Sequence, residues 1–553
     1  MEDTFALTAL AMAALGTLGW GWPRTRRRLQ LSRAKHRSLT GHARMAKRVA
    51  GWIPGYAYGP ERFFNADGVP EAVATRRRQG FERLSALYAQ RFAQGAALTA
   101  QASEGLSDLQ FTARYRVPFP FSPLVRQHLR GGSFVTRASG VTLEDADGNR
   151  FHDLTGSYGV NVFGVDFYKA CMEEAHAATL AVGPVLGSYL PCVADNIERL
   201  RSLSGLDEVS FHMSGTEAVM QAVRLARYHT GRRHLVRFSG AYHGWWDDVQ
   251  PGPGNPMPPR DTYTLKDMDA RTLQVLRTRN DIACVLVNPL QALHPNAAAP
   301  GDSSLVDSSR RAGVDRAAYG AWLKALREVC TERGIVLILD EVFVGFRLAE
   351  RGAQAYFGVQ ADLVTYGKTL GGGLPVGVVC GKRALMKRFR DERPADICFA
   401  RGTFNAHPTV MAAMNAFLRR LDTPEVQAVY QGLDERWAGH LARFNAALEA
   451  AGVPVRVAGL QSIWTVLYTS PSRYNWMLQF YLRAHGLALS WVGSGRIVFS
   501  LNYTEAEVDA VAAKFVAAAQ EMQADGWWWH EAGASNRGIR RGLLKEMLLK
   551  RLR

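Results

Sequence analysis

Two short apolar runs, each followed closely by a chemically reactive side chain, constrain the fold of this 553-residue chain most strongly. Residues 335–339 (IVLIL) precede Asp340 and Glu341, and residues 363–366 (LVTY) come just before Lys368. Apolar runs of this length are typical of strands buried on both faces of a parallel sheet. Because ligands bind at the carboxyl ends of strands in open α/β sheets, the acid and the lysine are expected to flank one site. We expect that site to hold a flat cofactor.

A candidate anion site precedes these strands in the chain. A short apolar strand leads into Ser214, Gly215 and Thr216, which open a long helical pattern. Small residues at a helix start expose free backbone N–H groups at the positive end of the helix dipole, where anions bind. Alone, this pattern is more often a plain N-cap, since Ser and Thr are favoured there. In combination with the acid and the lysine, it favours a phosphate site.

Four segments resemble the class III, fold-type I aminotransferases, which use pyridoxal phosphate. The similarity extends from about residue 117 to about residue 520, and the motifs keep their order and spacing. Within the family the resemblance is strongest to the glutamate-1-semialdehyde 2,1-aminomutases. The segments are residues 214–227 (SGTEAVMQAVRLAR), 241–244 (AYHG), 340–347 (DEVFVGFR) and 366–377 (YGKTLGGGLPVG).

The resemblance implies an α/β fold, that of the fold-type I pyridoxal-phosphate-dependent transferases. It has a large domain with a mostly parallel sheet of the seven-stranded type and a small α+β domain formed by N- and C-terminal parts. The expected segments are a membrane anchor helix (1–23), a basic juxtamembrane segment with a helical N-terminal extension (24–112), the N-terminal part of the small domain (113–200), the large cofactor-binding domain (201–408), the C-terminal small domain (409–525) and a basic amphipathic tail (526–553).

The same resemblance assigns roles to individual residues. Lys368 is expected to form a Schiff base with pyridoxal 5'-phosphate and to move the proton during catalysis, and Asp340 to pair with the pyridine nitrogen. Tyr242 and Val342 are expected to cover the two ring faces. His243 and Glu341 are interpreted as structural or supporting residues. The residues expected to hold the phosphate are Ser214, Gly215, Thr216 and Thr403.

The segment around Thr403 predicts how the subunits assemble. Residues 400–408 (ARGTFNAHP) resemble the segment that reaches across a dimer interface to the neighbouring subunit's cofactor. The resemblance therefore implies a homodimer with shared active sites. From the residues alone, a plain turn before the helical pattern at 409–421 is the alternative.

Four residues are candidates for the substrate side of the site. By resemblance, Ser157 and Tyr158 lie at the substrate mouth, although an ordinary glycine-rich loop is an equal interpretation of that segment. Related enzymes usually carry Glu-Pro where this chain has Asn288 and a proline, with Gln291 shortly after. Loss of that carboxylate changes the charge beside the substrate.

Arg496 is interpreted as exposed or structural rather than as a partner of a substrate carboxylate. No metal site is expected.

These features predict an enzyme that moves an amino group from a small-molecule amino donor to an aldehyde or ketone acceptor in ping-pong half-reactions. The alternative is an intramolecular transfer of the aminomutase type, which the motif similarity favours. Asn288 and the N-terminal extension favour the aminotransferase. A third hypothesis is a catalytically inactive, membrane-attached binding protein, but the presence of both Lys368 and Asp340 argues against it.

The two ends of the chain predict contact with a membrane. Residues 5–22 are apolar or small and are followed by a stretch, 24–48, that has basic but no acidic residues. Three tryptophans, 527–529, precede a basic amphipathic pattern that resembles a membrane-surface element. Packing within the protein or on a partner subunit is the alternative for both. No nucleic-acid partner is expected despite the net charge of +17.

The expected location is the cytoplasm, at the inner face of the membrane. The basic residues that follow the apolar N-terminal segment place the rest of the chain on the cytoplasmic side by the positive-inside rule. The six cysteines are scattered and include no CxxC pair, which is consistent with a reducing compartment.

Overall fold

The computed structural model describes residues 22–35, 41–132, 134–258, 260–289, 315–489 and 495–552. The strands are β1 (Val135–Ser139), β2 (Thr142–Asp145), β3 (Arg150–Asp153), β4 (Glu208–His212), β5 (His234–Phe238), β6 (Thr262–Leu265), β7 (Ile282–Val287), β8 (Val336–Asp340), β9 (Leu363–Gly367), β10 (Gly377–Gly381), β11 (Phe389–Arg390), β12 (Arg393–Ile397), β13 (Val455–Leu460), β14 (Ile463–Tyr468), β15 (Leu487–Ala488) and β16 (Arg496–Val498).

The helices begin with α1, which covers residues 22–34. The others are α2 (Ala43–Trp52), α3 (Pro60–Asn65), α4 (Glu71–Arg91), α5 (Ala93–Ser103), α6 (Ser107–Tyr115), α7 (Ser122–His128), α8 (Val165–Thr179), α9 (Cys192–Ser204), α10 (Gly215–Thr230), α11 (Ala270–Thr278), α12 (Arg316–Arg333), α13 (Gly352–Phe357), α14 (Arg383–Met386), α15 (Pro408–Leu421), α16 (Pro424–Tyr430), α17 (Leu433–Ala450), α18 (Leu478–Ala484), α19 (Glu505–Ala524) and α20 (Asn536–Leu552).

A seven-stranded sheet forms the centre of the large α/β unit, in the order β4-β10-β9-β8-β7-β5-β6. The pairings from β9 to β6 are parallel, and β10 runs antiparallel to both of its neighbours. Every residue of β7, β8 and β9 is buried, which explains why β7, and β8 up to Asp340, are apolar throughout. The expected mostly parallel sheet is confirmed.

The carboxyl ends of these strands bring the predicted site residues to one edge of the sheet. Asp340 is the last residue of β8, and Lys368 directly follows β9. The neighbouring strands β4, β5 and β7 have the same direction, so the segments that follow them meet at the same edge. The order of the strands, which sequence periodicity does not show, is what assembles the site.

Besides the small sheet β11-β12, two further sheets in the described chain bring together segments from its N- and C-terminal parts. The antiparallel sheet β13-β14-β16 packs beside α17, which in turn packs on α19, and the other sheet has the order β1-β2-β3-β15. In the second sheet β3 pairs in parallel with β15, so residues 152–153 lie beside residues 487–488. An α+β unit with contributions from N- and C-terminal parts is confirmed, whereas the six segment limits given above stay predictions.

The C-terminal tryptophans correct one expectation. Trp527 is completely buried and Trp528 is 5% exposed, so neither can lie in a membrane interface. The Trp527 ring packs on Tyr474, and its Nε1 donates a hydrogen bond to the hydroxyl of Tyr481. Apolar burial, not lipid contact, explains these large side chains.

The expected N-terminal anchor lies almost wholly outside the described residues, because the structure begins at residue 22. Among the residues that are described, no helix has both the length and the apolar composition needed to cross a membrane.

Candidate active site

A cavity of about 790 Å³ opens at the carboxyl edge of the large sheet. Its volume is within the range of pockets that enclose small organic molecules. Most of the residues predicted from sequence share its wall. They are Tyr158, Ser214, Gly215, Thr216, Tyr242, Asn288, Asp340, Val342 and Lys368.

The start of helix α10 forms one wall of the cavity. Ser214 is the N-cap, and its Oγ accepts a hydrogen bond from the backbone N–H of Glu217 at 3.3 Å. The Glu217 carboxylate in turn accepts from the backbone N–H of Met213 at 2.9 Å. This reciprocal pair fixes the first turn of the helix, whose N–H groups and dipole favour an anion.

Gly215 is needed for the close packing of this helix start. A Cβ atom at this position would lie 2.7 Å from Cγ1 of Val342, which is closer than carbon atoms approach in proteins. A Cβ on Gly367 would lie 3.2 Å from the same methyl group. Val342 is thus held between the start of α10 and the residue before the lysine, and it faces the cavity.

Asp340 is 3% exposed and is held by three hydrogen bonds. Its Oδ1 accepts from the backbone N–H of Val342 at 3.1 Å and from Thr365 Oγ1 at 3.3 Å. Its Oδ2 lies 2.7 Å from Nδ1 of His243. The carboxylate is therefore fixed in position where it borders the cavity.

His243 is the supporting residue whose specific contact sequence reasoning missed. It is 2% exposed, and burial lowers the pKa of its imidazole while the neighbouring Asp340 opposes that shift. The ring is therefore neutral near pH 7, and its Nδ1–H donates to Asp340. The sequence signal was that His243 directly follows Tyr242, in the loop after a strand of the same sheet. Chain position alone does not show which carboxylate the histidine contacts.

Lys368 has a backbone φ of 47°, in the left-handed region that non-glycine residues seldom adopt. Burial lowers the pKa of its amine, and the nearby Asp340 opposes that effect. Its Nζ lies 5.8 Å from the ring centroid of Phe343. A Cβ on Gly159 would lie 2.4 Å from Phe343, so only a glycine fits here. The same Cβ would lie 3.4 Å from Cδ of Lys368, which shows that this glycine lies beside the aliphatic part of the lysine.

Tyr242 lies at the mouth of the same cavity and is 59% exposed. Burial of part of the ring raises the pKa of its phenol, and the Asp340 carboxylate adds to the shift. Tyr242 and Val342 are both placed to contact a flat molecule, as expected. Their assignment to opposite ring faces stays a prediction.

The structure places some of the predicted substrate residues on the cavity wall and others away from it. Tyr158, with φ 57°, and Asn288, just after β7, line the cavity. Ser157 is exposed and does not line it, and Gln291 lies outside the described residues. Arg496, interpreted from sequence as exposed or structural, borders the cavity, and its guanidinium carbon is 5.9 Å from the Phe343 ring centroid.

Thr403 is exposed and does not border the cavity of its own chain. Its expected role in a neighbouring subunit's site stays a prediction.

Glu341 also lies off the cavity wall. It is 1% exposed and accepts backbone hydrogen bonds from Ala353 at 2.6 Å and Gln354 at 3.1 Å. Through these two hydrogen bonds the carboxyl supports the start of α13 from the interior. Burial raises the pKa of this carboxyl to about 7.

The amino-acid sequence matches a known family over most of its length. Residues 126–519 match the family model described as aminotransferase class III. The chain belongs to the class III aminotransferases. It is therefore an enzyme of a family that depends on pyridoxal phosphate, and the cavity fits that cofactor. The site offers a helix start for a phosphate, a fixed carboxylate and a buried amine.

Relatives of known name support the family assignment. The glutamate-1-semialdehyde 2,1-aminomutase of Nitratidesulfovibrio vulgaris is 35% identical over 376 residues, which are 66% of this chain and 85% of that protein. A transaminase structure with pyridoxal phosphate bound aligns with a TM-score of 0.63 at 29% identity, covering 78% of this chain and 99% of the other. An omega-transaminase from Sphaerobacter thermophilus gives 0.63 at 26% identity, covering 78% and 98%. The fold-type I assignment is confirmed.

Proposed function

We propose that this enzyme transfers an amino group from a small amino donor to an aldehyde or ketone acceptor in two successive half-reactions. The observation that carries the proposal is the convergence of Lys368, Asp340 and the start of α10 on one cavity. Pyridoxal phosphate, when bound, supplies an aromatic ring that accepts the electrons left when the carbon bearing the amino group loses a proton.

Lys368 is the residue proposed to hold the cofactor and to carry the proton. Because burial lowers the pKa of its amine, a larger fraction is neutral near pH 7 than for an exposed lysine. A neutral amine would take the proton from the substrate carbon and would deliver it to the cofactor carbon C4′, on the other side of the transferred nitrogen. The strained backbone at this residue positions the side chain in the cavity.

Asp340 is proposed to keep a proton on the pyridine nitrogen. Its three hydrogen bonds orient the carboxylate and leave its position independent of substrate binding. A negative charge fixed in a water-poor site stabilises a neighbouring positive charge more strongly than it would in water. His243 acts through Asp340 and is a positioning residue.

The phosphate is proposed to bind at Ser214, Gly215 and Thr216. A Cβ on Gly244 would lie 2.5 Å from Thr216 Oγ1, so the chain after β5 packs directly against this helix start. We further propose that Thr403 of a second copy of the chain completes the phosphate site in a homodimer. The exposure of Thr403 away from its own cavity is consistent with that role.

Intermolecular transfer is proposed over the aminomutase reaction because of the substrate side of the cavity. Asn288 provides a neutral amide where a carboxylate is usual in the family, so the wall near β7 lacks that negative charge. Arg496 on the same cavity is suited to the carboxylate of an amino-acid donor. The similarity to named aminomutases favours the alternative, in which the amino group moves within glutamate 1-semialdehyde.

A donor screen separates the two reactions. The holoenzyme is mixed with a panel of amino acids and amines without an acceptor, and the visible absorption and the released oxo acid are measured. An aminotransferase loses the visible band and releases one oxo product per site. If no donor bleaches the band while glutamate 1-semialdehyde is converted, the aminomutase is the enzyme's reaction.

We also propose that the protein lies at the cytoplasmic face of a membrane. The end of α2 meets the end of α20, where Arg551 donates a hydrogen bond to the carbonyl oxygen of Trp52 at 3.1 Å. The surface at this contact combines exposed apolar side chains with lysines and arginines, as membrane-surface helices do. Its apolar members are Trp52 (61% exposed), Ile53 (43%), Leu548 (54%), Leu549 (53%) and Leu552 (84%).

The carboxylate of Glu546 links helix α20 to the body of the protein. Glu546 accepts a hydrogen bond from Tyr58 at 2.5 Å and forms an ion pair with Arg473 at 2.8 Å.

The proposed membrane location is tested by sedimentation with phosphatidylserine vesicles and with phosphatidylcholine vesicles. Binding to the anionic vesicles that the double variant L548E/L552E loses supports the location. Equal sedimentation of the variant contradicts the role of α20.

A further inference from the structure

A second cavity, of about 730 Å³, lies between the N-terminal helices and α18. Its wall comes from the end of α4, from α5, α6 and α7, and from residues 479–483. The class III match begins at residue 126, so α4, α5 and α6 all precede it. The cavity is thus built largely by the part of this chain that the family model does not cover.

The charge of this cavity has one sign. Five arginines line it, and none of its lining residues, all of them within the described parts of the chain, is Asp or Glu. Arg114, Arg126 and Arg130 are exposed, whereas Arg116 and Arg483 are partly shielded from solvent, repel one another and lose hydration. An anion inside the cavity would offset both costs. The five are Arg114, Arg116, Arg126, Arg130 and Arg483.

Arg116 is the most constrained of the five. Its Nε donates to Gln479 Oε1 at 3.3 Å, and Gln479 Nε2 donates back to the carbonyl oxygen of Arg116 at 3.3 Å. Burial, followed by repulsion from Arg483, lowers the pKa of Arg116 to about 10. Within the described chain, no carboxylate lies within 4.0 Å of its guanidinium. The side chain is therefore held in place with its charge unbalanced.

The charge of Arg483 is partly offset by Asp145, and its side chain is held by contacts different from those of Arg116. Its guanidinium lies over the rings of Phe92 and Phe151, 5.0 Å from each centroid, and its Nη2 lies 4.0 Å from Asp145. Its Nε is buried with no hydrogen-bond partner. A Cβ on Gly131 would lie 2.9 Å from that nitrogen, so the backbone packs closely against it. Arg483 adds positive potential, and Arg116 remains the better direct contact for an anion.

The remaining wall is largely apolar. Val117, Val125, Leu129 and Phe480 contribute buried aliphatic and aromatic surface, and Phe111 is 56% exposed beside the cavity. A small hydrophilic anion would leave this surface unused, whereas a molecule with an apolar chain would remove it from water. Charge and apolar lining together specify the chemistry of the ligand.

We propose that this cavity binds an amphipathic organic anion, with its carboxylate or phosphate group at Arg116 and its apolar chain along Phe111 and α7. The cavity is distinct from the proposed active site, with which it shares no lining residue. The protein would accordingly carry a ligand site that the aminotransferase reaction does not require.

The test is isothermal titration of the full-length holoenzyme with four ten-carbon probes, each kept below its micelle concentration or its solubility limit. They are decanoate, decyl phosphate, decanol and decyltrimethylammonium. We expect one of the two anions to bind at about one site per chain and at least about tenfold more tightly than decanol, because a charge-assisted contact is lost in the alcohol. The tighter anion identifies a carboxylate or a phosphate as the natural head group. Failure of both anions to bind, or equal binding of decanol, overturns the proposal.

Two variants locate the binding. Arg116→Gln is expected to weaken the anion at least about tenfold, and Phe111→Ala to weaken decanoate while leaving the cofactor absorption intact. Because Phe111 is exposed, the second variant keeps the test valid if the first fails to fold. Arg456→Gln, an exposed arginine on β13, is the matched control and should bind as the parent does. Wild-type affinity in the folded Phe111 and Arg116 variants contradicts the site.

Discussion

Nδ1 of His243 lies 2.7 Å from Oδ2 of Asp340, and both side chains are buried beneath the proposed pyridine site. The histidine is held neutral by burial, so it serves as a hydrogen-bond donor and leaves the negative charge of the pair on the aspartate. This arrangement makes Asp340 a fixed anion rather than one member of an ion pair. It links His243, which also borders the cavity, to the electronics of the cofactor.

His243→Asn is expected to reduce cofactor affinity and kcat, each by about tenfold or more, because a hydrogen bond to a charged group contributes about 1.5–3 kcal/mol. The measurements are the dissociation constant of pyridoxal phosphate and the pH dependence of its visible band. His176→Asn, on the exposed face of α8, is the control. A band with unchanged pH dependence and affinity would mean that His243 does not act through Asp340.

Lys368→Ala is expected to lower amino transfer by about 10³-fold or more, since it removes both the attachment of the cofactor and the proton carrier. The phosphate site remains, so the variant should still bind pyridoxal phosphate without a covalent link. Lys324→Ala, at an exposed position of α12, should retain parental activity. Measured turnover within tenfold of the parent would exclude the role assigned to Lys368.

Gly215→Ala is expected to lower cofactor affinity and to destabilise the fold by about 1–3 kcal/mol, because the new methyl group overlaps Val342. The double variant with Val342→Ala should recover stability. Gly320→Ala in α12, where an added Cβ meets nothing within 4 Å, should instead stabilise the helix by about 0.5–1 kcal/mol. Chemical denaturation measures all three. No loss in the single variant would show that the helix start is not packed as described.

Glu341 predicts a pH dependence of stability. The folded-state pKa of about 7 is above the ordinary value of 4.5, so the stabilising contribution of the protonated carboxyl is complete below pH 4.5. That contribution is lost as the pH rises through 7. Relative to Glu341→Gln, the parent should therefore lose Tm between about pH 5 and pH 8. Parallel Tm curves for the two proteins would contradict a raised pKa.

Mixed dimers test the assignment of Thr403 to the neighbouring subunit's site. Lys368→Ala and Thr403→Ala homodimers are each expected to have low activity. After subunit exchange, a mixed dimer has one site that combines Lys368 of one chain with Thr403 of the other, so activity should rise. If Thr403 served its own chain, or no dimer formed, mixing would restore no activity.

Much of the fold and cofactor site could be predicted because their residues are local in sequence. The strand before Asp340, the strand before Lys368 and the N-cap at Ser214 are each visible in a few consecutive letters. The contact of His243 with Asp340 joins residues 97 positions apart, so only the strand order reveals it. The arginine-lined cavity was likewise not apparent, because Arg116 and Arg483 are brought together by packing of distant helices.

The position of apolar residues at the C-terminus shows the limit of pattern alone. The tryptophans at 527 and 528 and the leucines of α20 are close in sequence, and both suit either a core or a membrane surface. The structure buries the tryptophans and exposes Leu548 and Leu552. Burial depends on which elements reach each face, and composition does not specify that.

The most direct test of the central claim is borohydride reduction of the holoenzyme followed by peptide mass mapping. Reduction fixes the cofactor on the lysine that holds it. We predict a phosphopyridoxyl group on the peptide that contains Lys368, with no such adduct at that position after prior treatment with an effective amino donor. An adduct on a different lysine, or none in a cofactor-saturated sample, would contradict the assignment of the active site.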